Sequence, residues 1–405
     1  MKILYVVDAR SPIALNWIRH FIERGDEIYI ASTFPAPPNL PVKRMEVIPV
    51  AFSGLKKEAH RPGAASARTL SLRTKIRQWF GPLTIPRAAK QLRSFIEELQ
   101  PDIIHAMRIP YEGMLAAKAI GGFDTTAAVE WTKSVSRPRR LLNHRLIVSI
   151  WGNDFTLHAP SSPLMRYYTR RTMQRADAIH ADCHRDIRLA KEWGFDSSKP
   201  NLVAPGNGGV RTDTFSPPAK PVEEPIILNP RGFRPYVRND TFFKAIPLVL
   251  ENHPKAKFIC TGMAGEEQAE KWIRELGIEN SIELLGLIPQ SQIADVYRRA
   301  QILVSPSIHD GTPNTLLEGM ACGCFPVAGD LESIREWITP NENGLLFDST
   351  DYQSIASAII QAIENKNLRE KSAGMNREII SARAEYEKNM QGAQAFCKKV
   401  RGLSD

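Results

Sequence analysis

The chain has 405 residues, of which 43% are hydrophobic, and this apolar content suits two cores better than one oversized core. Residues 1–205 carry 31 Lys and Arg against 18 Asp and Glu, a net charge of +13, whereas the 22 basic and 26 acidic residues that follow give −4. The five cysteines are scattered without a CxxC pair, which argues against a zinc ribbon and a disulfide framework. The basic half predicts a face that meets something anionic, such as lipid, glycan or nucleic acid.

The N-terminal half alternates apolar strands with amphipathic helices. Helices are predicted near residues 13–24 and 88–99, after Tyr111 and after Pro163. The predicted strands are residues 2–7, 27–32, 102–106, 146–151 and 176–182. This alternation requires crossover connections, so we expect a mainly parallel sheet covered on both faces. Because no apolar run is long enough to cross a bilayer, we expect a cytoplasmic chain, with a peripheral position on the inner face of the membrane left open.

A second α/β series follows a stretch rich in Gly and Pro. We expect an N-terminal domain of residues 1–205, a linker of residues 206–224 and a C-terminal domain of residues 225–380. An amphipathic helix in residues 381–405 is expected to be able to pack back on the first domain. The strands predicted in the second domain are residues 226–230, 257–262, 281–286, 302–307 and 324–329. Two similar α/β halves predict a ligand site in a cleft between them.

Residues 305–337 carry the clearest chemical pattern. A strand ends near Ser307, and Pro313 is well placed as the first residue of the next helix. The free N–H groups and the positive dipole end of that helix start can hold a phosphate. Glu318 lies about one and a half turns into the helix, where its carboxylate can accept hydrogen bonds from ribose hydroxyls. The alternative is a capped turn followed by a surface helix with a solvated Glu318.

This segment resembles the donor-site signature of glycosyltransferase family 4. The matching residues are Asp310, seven intervening residues, Glu318 and then GMACGCFPVAG; the family commonly has glutamate at the first acidic position. Residues 206–217 and 341–359 are also similar to family segments. The resemblance implies a GT-B fold of two facing Rossmann-like domains. It also implies retaining transfer of a hexosyl group from a UDP or GDP sugar to a hydroxyl acceptor, without a metal or another cofactor.

Site residues follow from the same resemblance. Arg231 matches the family arginine that holds the leaving diphosphate, and Arg238, with Arg234 as its rival, stands where relatives have lysine. Two guanidinium groups can stabilise a leaving diphosphate without a metal. Asp310 and Glu318 would orient the sugar and hold the ribose. The other donor-side residues are Gly311, Thr312, Pro313, Asn314 and Thr315.

The N-terminal domain matches the family less closely. His105 lies in DIIHA, where it is either a catalytic group near the reacting sugar or a hydrogen-bonded histidine at a strand end. In SIWGNDF the family histidine is replaced by Trp151, while Gly152 and the catalytic candidate Asp154 are matched. The early Gly-Gly loop is missing, so the acceptor side is expected to be shaped by Ser11, Trp17, Arg108, Trp151 and Gly152. The acceptor stays open between a lipid-linked hydroxyl and a growing cell-surface glycan.

Residues 56–93 interleave basic side chains with Leu, Ile, Trp79 and Phe80. This composition suits contact with an anionic membrane, and an ordinary solvated helix is the alternative. His180, Asp182 and His184 alternate at strand spacing, but such residues more often form ordinary hydrogen bonds, and we expect no metal site.

Other functions remain possible on this architecture. A nucleotide-sugar epimerase or a phosphorylase would bind similar ligands, and acceptor-dependent release of a nucleoside diphosphate would separate them from a transferase. The basic half leaves a nucleic-acid-binding protein as an alternative. No nucleic-acid motif supports this alternative, and we expect no nucleic acid to bind. A nicotinamide dehydrogenase is disfavoured because no G-x-G-x-x-G follows the first strand of either half.

Overall fold

The computed structural model describes residues 1–37, 39–54, 67–121 and 144–402, with the backbone alone for residues 67–73, 290 and 291. The chain forms two compact units. The first is built on Met1–Glu58, Ser71–Gly208 and Met390–Asp405, and the second on Gly209–Asn389. Each unit is an α/β structure around its own parallel sheet.

Seven parallel strands make up the sheet of the first unit within the described ranges, in the order β3-β2-β1-β4-β5-β6-β7. They are β1 (Lys2–Val7), β2 (Glu27–Ser32), β3 (Arg44–Val47), β4 (Ile103–Ala106), β5 (Arg145–Ile150), β6 (Ala178–Ala181) and β7 (Asn201–Val203). The helices of this unit are α1 (Pro12–Glu23), α2 (Ala67–Phe80), α3 (Ile85–Leu99), α4 (Met114–Ala119), α5 (Pro163–Arg175) and α6 (His184–Glu192).

Six parallel strands form the sheet of the second unit in the part of the chain described, in the order β10-β9-β8-β11-β12-β13. They are β8 (Ile226–Asn229), β9 (Lys257–Cys260), β10 (Ile282–Leu284), β11 (Ile302–Ser305), β12 (Phe325–Gly329) and β13 (Leu345–Phe347). The remaining helices are α7 (Asn239–Asn252), α8 (Glu267–Leu276), α9 (Gln290–Arg298), α10 (Asn314–Ala321), α11 (Tyr352–Glu364), α12 (Lys366–Arg383) and α13 (Tyr386–Arg401).

Local sequence explains the first βα unit. The strand β1 is almost entirely buried, as expected for a central strand that helices cover on both faces. The helix α1 begins after Ser11, whose hydroxyl accepts a hydrogen bond from the Ala14 N–H at 3.4 Å, and Pro12 fits its first turn. It ends before Gly25, which has a φ of 84°.

Both sheets have a topological switch point, where neighbouring strands lead to helices on opposite faces. In the first unit it lies between β1 and β4, and in the second between β8 and β11. Open α/β sheets bind ligands outside the carboxyl ends of the strands at such points. These two places in the molecule are therefore where ligand-binding side chains are expected.

Several elements differ from the sequence-based expectation. The strands β3, β7 and β13 have three or four residues each and were not predicted. The helix α10 begins at Asn314, not at Pro313, because Pro313 keeps an extended backbone with a ψ of 120°. The predicted helix beginning at residue 381 is interrupted, since α12 ends at Arg383 and α13 begins at Tyr386.

All five cysteines fall in described ranges, where they are buried and free of disulfide bonds. None of the helices in the described residues combines the length and apolarity that crossing a membrane would require.

Candidate functional site

Arg231 follows β8 at the switch point of the second sheet. Its guanidinium Nη2 lies 2.5 Å from Asp310 Oδ2, and Nη1 donates to the Thr315 hydroxyl at 3.0 Å. The Arg231 backbone N–H donates to Asn229 Oδ1 at 3.1 Å, which fixes the turn after the strand. Arg231 Nε is buried and has no hydrogen-bond partner among the described residues. Three predicted donor-side residues, Arg231, Asp310 and Thr315, are thus brought together.

The turn that leads into α10 is held from behind by two side chains. The Ser333 hydroxyl donates to the Asp310 carbonyl at 2.8 Å, and Trp337 Nε1 donates to the Thr312 hydroxyl at 3.0 Å. Gly311, Thr312 and Pro313 are buried. Asn314 opens the helix, and its buried Oδ1 accepts no hydrogen bond in the described part of the chain. The start of α10 is therefore a rigid polar loop beside Arg231.

Glu318 is buried on α10, with 9% of its surface exposed, so the alternative of a solvated side chain is wrong. Its Oε2 accepts a hydrogen bond from the Tyr297 hydroxyl at 3.0 Å. Burial raises the pKa of Glu318 to about 7, and the Tyr297 hydrogen bond opposes this rise. A carboxyl group with this pKa changes charge near neutral pH and can respond to a ligand that donates hydrogen bonds to it.

Arg238 immediately precedes α7 and faces a different partner. Its guanidinium makes a two-pronged ion pair with Asp240, through Nε at 2.8 Å and Nη2 at 2.7 Å. This hydrogen bonding raises the pKa of Arg238 and lowers that of Asp240. Its predicted role as a second diphosphate ligand would require Asp240 to share the guanidinium. Its rival Arg234 is exposed to solvent.

A cavity of about 330 Å3 lies in the first unit beside the carboxyl ends of β1, β4 and β5. Of the predicted acceptor-side residues, Ser11, Arg108 and Trp151 line it. The Arg108 guanidinium carbon lies 5.5 Å from the centre of the Trp151 ring. The cavity is also lined by residues that sequence reasoning missed, among them Phe34, Arg77, Tyr111 and Glu112.

Asp154 organises the loops beside this cavity. It is buried and accepts hydrogen bonds from Arg108 Nε at 2.9 Å, the Ile109 N–H at 3.1 Å and the Trp151 N–H at 3.2 Å. Burial raises the pKa of Asp154, and the positive charge of Arg108 opposes that rise. With its oxygens engaged in this way, Asp154 positions Arg108 and Trp151, and its catalytic role stays a prediction.

His105 and Trp17 lie in the core and do not line the cavity. His105 is 1% exposed, and its Nε2 lies 2.9 Å from the Ser149 hydroxyl. Burial lowers the pKa of His105 well below its ordinary value. The Trp17 ring stacks on His180 at 4.4 Å. Of the two interpretations of His105, the structure favours the hydrogen-bonded histidine of a strand.

Gly152 is also buried rather than cavity-lining. Its N–H donates to Asp182 Oδ2 at 3.3 Å, and its carbonyl accepts from Arg185 Nη2 at 2.7 Å. Both backbone groups of Gly152 are thus used to join this loop to the start of α6.

Both ring nitrogens of His180 are engaged. Nδ1 lies 3.0 Å from the Ser149 hydroxyl and Nε2 lies 2.9 Å from the Ala204 carbonyl oxygen, so neither is available to ligate a metal. A separate group, Asp182, Cys183 and Asp186, has ligand atoms within 4.8 Å of one another. There the Arg185 guanidinium already neutralises Asp186, from 2.8 Å.

The site residues that the sequence analysis did not predict were missed for different reasons. Arg77 was assigned to a surface segment by its composition, although it lines the cavity. Phe34 and Tyr111 stand in loops without a short motif, and only a long-range contact reveals them. Tyr297, the partner of Glu318, lies 21 positions before it, so the pair cannot be recognised from local spacing.

Comparison with known proteins agrees with this architecture. Residues 14–206 match the family model described as Glycosyl transferase 4-like domain, and residues 210–378 match Glycosyl transferases group 1. EpsD of Bacillus subtilis, a protein named as a glycosyltransferase, is 25% identical over 304 residues, which cover 69% of this chain and 72% of EpsD. Other curated relatives match over about half of their own length, 52% and 54% in two cases.

Solved structures show the same fold. Sucrose-phosphate synthase from Thermosynechococcus elongatus has a TM-score of 0.73 at 14% identity, with 100% of both chains covered. HepE of Anabaena, in complex with UDP-glucose, has a TM-score of 0.67 at 15% identity, also with 100% of both chains covered. The chain is therefore a glycosyltransferase with the GT-B fold, built from two parallel-sheet Rossmann-like domains.

Proposed function

We propose that this glycosyltransferase moves a hexosyl group from a nucleoside-diphosphate sugar to a hydroxyl acceptor, with retention of the anomeric configuration. The observation that carries the proposal is the Arg231 guanidinium, which bridges Asp310 and Thr315 beside the start of α10. Its buried Nε donor is unused. A diphosphate there would meet a guanidinium and the positive end of a helix dipole together.

The proposed donor is bound along α10. The diphosphate lies at Arg231 and the N–H groups of Asn314 and Thr315, and the ribose hydroxyls donate to the Glu318 carboxylate. Asp310 orients the sugar or the backbone of the turn. UDP is the first choice of nucleotide because HepE is described in complex with UDP-glucose, and GDP is the alternative.

The proposed chemistry needs no protein nucleophile. The bond between the anomeric carbon and the diphosphate oxygen breaks, and the diphosphate keeps the electron pair. The acceptor oxygen forms the new glycosidic bond on the same face of the sugar, and its proton passes to a phosphate oxygen. Arg231 stabilises the charge that develops on the leaving diphosphate, and this preferential stabilisation of the transition state accelerates the step.

Thermal unfolding with UDP, GDP, ADP, CMP and NAD tests the donor site. We expect one nucleoside diphosphate to raise the melting temperature, because it binds only the folded chain. In Arg231→Gln its affinity should fall about tenfold or more, the loss expected for a charged hydrogen bond. Arg299→Gln is the matched control, since Arg299 is an exposed arginine of the same unit, paired with Glu283.

A second measurement separates transfer from the other reactions. A glycosyltransferase releases the nucleoside diphosphate in proportion to added acceptor, whereas an epimerase releases none and a phosphorylase requires phosphate. If no nucleotide stabilises the folded wild type, the proposed donor site is wrong.

We also propose that the first unit rests on a membrane surface that supplies a lipid-linked acceptor. Ile76, Trp79, Phe80 and Leu83 recur at helical spacing, and all are exposed, Trp79 to 53% and Phe80 to 54%. Exposed aromatic and aliphatic side chains at this spacing, beside basic residues, suit an interfacial helix. The part of the predicted membrane segment in residues 56–66 lies outside the described residues.

Co-sedimentation with anionic vesicles tests the membrane contact. The Trp79→Ser, Phe80→Ser variant should lose most of its binding to vesicles, and Tyr167→Ser, which removes another exposed aromatic ring of the same unit, should retain it. Equal sedimentation of the two variants would exclude this surface as the membrane contact.

A further inference from the structure

The cavity of the first unit contains a guanidinium that no carboxylate of the described residues holds in a salt bridge. Arg77 lines the cavity from α2, and among the described residues its charge acts on Glu112 without a salt bridge, opposing the rise that burial causes in the pKa of that carboxyl group. Its buried Nε has no hydrogen-bond partner among those residues. Arg108, the other arginine of the cavity, is bonded to Asp154 and Asn153 at 2.9 and 2.8 Å. An unpaired guanidinium at a cavity wall is suited to bind an oxyanion.

Two aromatic rings hold the Arg77 guanidinium in place. Its carbon lies 4.8 Å from the centre of the Phe34 ring and 4.7 Å from the centre of the Tyr111 ring. The Tyr111 hydroxyl also donates to the Arg77 carbonyl at 2.7 Å, which anchors the end of α2. Stacking on rings fixes the plane of a guanidinium and leaves its N–H edge for a ligand.

The backbone at Tyr111 is strained, with a φ of 69° and a ψ of −56°. Such a conformation is unfavourable for a non-glycine residue, and strain of this kind concentrates at binding sites. The conformation places the phenol ring under Arg77 and its hydroxyl on the α2 carbonyl. The strain is thus located at the residue that positions the unpaired arginine.

The two carboxylates that line the cavity have hydrogen-bond partners other than Arg77. Asp8 is held by Arg10 through two hydrogen bonds at 2.9 and 2.8 Å. Glu112 is buried and accepts the Thr33 hydroxyl at 2.6 Å; burial raises its pKa, and the Thr33 hydrogen bond and the charges of Arg108 and Arg77 oppose that rise.

We propose that the acceptor carries a phosphate group and that this cavity binds it, with Arg77 as the principal contact and Arg108 as the second cation. The identification of the cavity ligand as the acceptor rests on the proposed function; the phosphate site itself does not. The stacked guanidinium matches two oxygens of a phosphate, and two cations in one cavity favour phosphate over a singly charged carboxylate.

Glycerol 3-phosphate and its neutral counterpart glycerol are the probes, and isothermal titration is the measurement. Wild type should bind glycerol 3-phosphate and not glycerol. Arg77→Gln should weaken this binding about tenfold or more, and Arg77→Lys should weaken it less, because lysine keeps the charge but loses the two-pronged contact. Arg87→Gln, which changes an exposed arginine of the neighbouring helix α3, should bind like wild type.

Two further arms locate the phosphate and its source. Arg231→Gln should leave glycerol 3-phosphate binding unchanged; if Arg231→Gln abolishes binding and Arg77→Gln does not, the probe occupies the donor site and the proposal is wrong. Vesicles of phosphatidylcholine containing phosphatidate present the same group on a lipid. If wild type binds only the vesicles, and Arg77→Gln loses this binding while Arg87→Gln keeps it, the phosphate belongs to a lipid headgroup. If wild type binds glycerol 3-phosphate, the free phosphate suffices.

Failure of this proposal is distinguishable from failure of the proposed function. Arg77→Gln should keep the stabilisation by nucleoside diphosphate, which reports on the second unit. If neither phosphate probe binds the folded wild type, or if Arg77→Gln binds both as wild type does, the phosphate site is excluded even where nucleotide binding is intact.

Discussion

Glu318 links the stability of the second unit to pH. Its pKa in the folded chain is about 7, above its ordinary value of 4.5. Below pH 4.5 the group is protonated in both states and contributes nothing. Between pH 4.5 and 7 Glu318 is ionised in the unfolded chain before it is ionised in the folded chain, so the free energy of unfolding falls as the pH rises. The fall is complete above pH 7 and amounts to about 3 kcal/mol.

Glu318→Gln should remove this dependence. The melting temperature of the variant minus that of wild type should be higher at pH 8 than at pH 5, because glutamine has no charge to bury. Comparing the two pH values cancels any constant cost of the amide. Calorimetry over this range is the measurement, and Glu251→Gln, a change at a residue with an exposed carboxyl group, is the control. An unchanged difference would show that Glu318 is already ionised in the folded chain.

Single residues also show what sequence reasoning can reach. The group of Arg231, Asp310 and Glu318 was predicted because its members lie in short segments whose spacing reflects one strand end and one helix. The unpaired Arg77 was not, because its environment comes from Phe34 and Tyr111, which are distant in sequence. The spacing of residues in the sequence reflects local geometry, whereas the absence of a salt-bridge partner at Arg77 among the described residues becomes apparent only in the folded structure.

At the scale of elements, α10 depends on a close approach to β11. A Cβ built on Gly319 would lie 2.3 Å from Leu303 Cδ1, and Leu303 is fully buried on the strand. The glycine lets the helix that carries Glu318 lie directly on the sheet. Within the segment GMACGCFPVAG that follows Glu318, Gly319 therefore has a packing role.

Gly319→Ala should destabilise the second unit by about 1–3 kcal/mol, the usual cost of overpacking a core. Gly374→Ala is the matched control, because Gly374 lies in the helix α12 and its Cβ would meet nothing within 4 Å. The control should be stabilised by up to about 1 kcal/mol through helix propensity. Denaturant unfolding measures both, and equal behaviour of the two variants would argue against the close approach.

The elements that the sequence did not predict share a physical reason. The strands β3, β7 and β13 lie at sheet edges and have at most four residues. A strand this short displays at most two periods of alternation, and at a sheet edge it is defined mainly by pairing with its one neighbour. The central strands were predicted because burial on both faces makes them continuous apolar runs.

At the scale of the whole molecule, the chain passes from the first unit to the second after Gly208 and returns to the first after Asn389. Residues near the two passages are bonded to each other within the second unit. The Val210 N–H donates to the Ala384 carbonyl at 2.7 Å, and the Tyr386 N–H donates to the Val210 carbonyl at 3.0 Å. The Arg211 guanidinium carbon lies 3.7 Å from the centre of the Tyr386 ring.

Gly209→Ala should disrupt this junction. Gly209 has a φ of 114°, and a Cβ there would lie 2.2 Å from the Ala384 carbonyl oxygen. Gly265→Ala is the control, since Gly265 has a φ of 78° but nothing within 4 Å of a Cβ. Both variants carry backbone strain, so the clash is measured by the additional loss in the free energy of unfolding of Gly209→Ala. We expect this additional loss to be about 1–3 kcal/mol. Limited proteolysis should cut Gly209→Ala faster near the junction, and equal rates would contradict the assignment.

The return of the chain to the first unit at Met390 has a consequence for synthesis on the ribosome. Met390, Cys397 and Val400 are buried, and the first unit includes them although nearly all its other residues are translated before Gly209. The first half to emerge therefore cannot complete its core until α13 has been made. The second half can finish folding earlier, so the order of maturation is the reverse of the order of translation, and a nascent chain stalled before Met390 would expose the N-terminal core to chaperones.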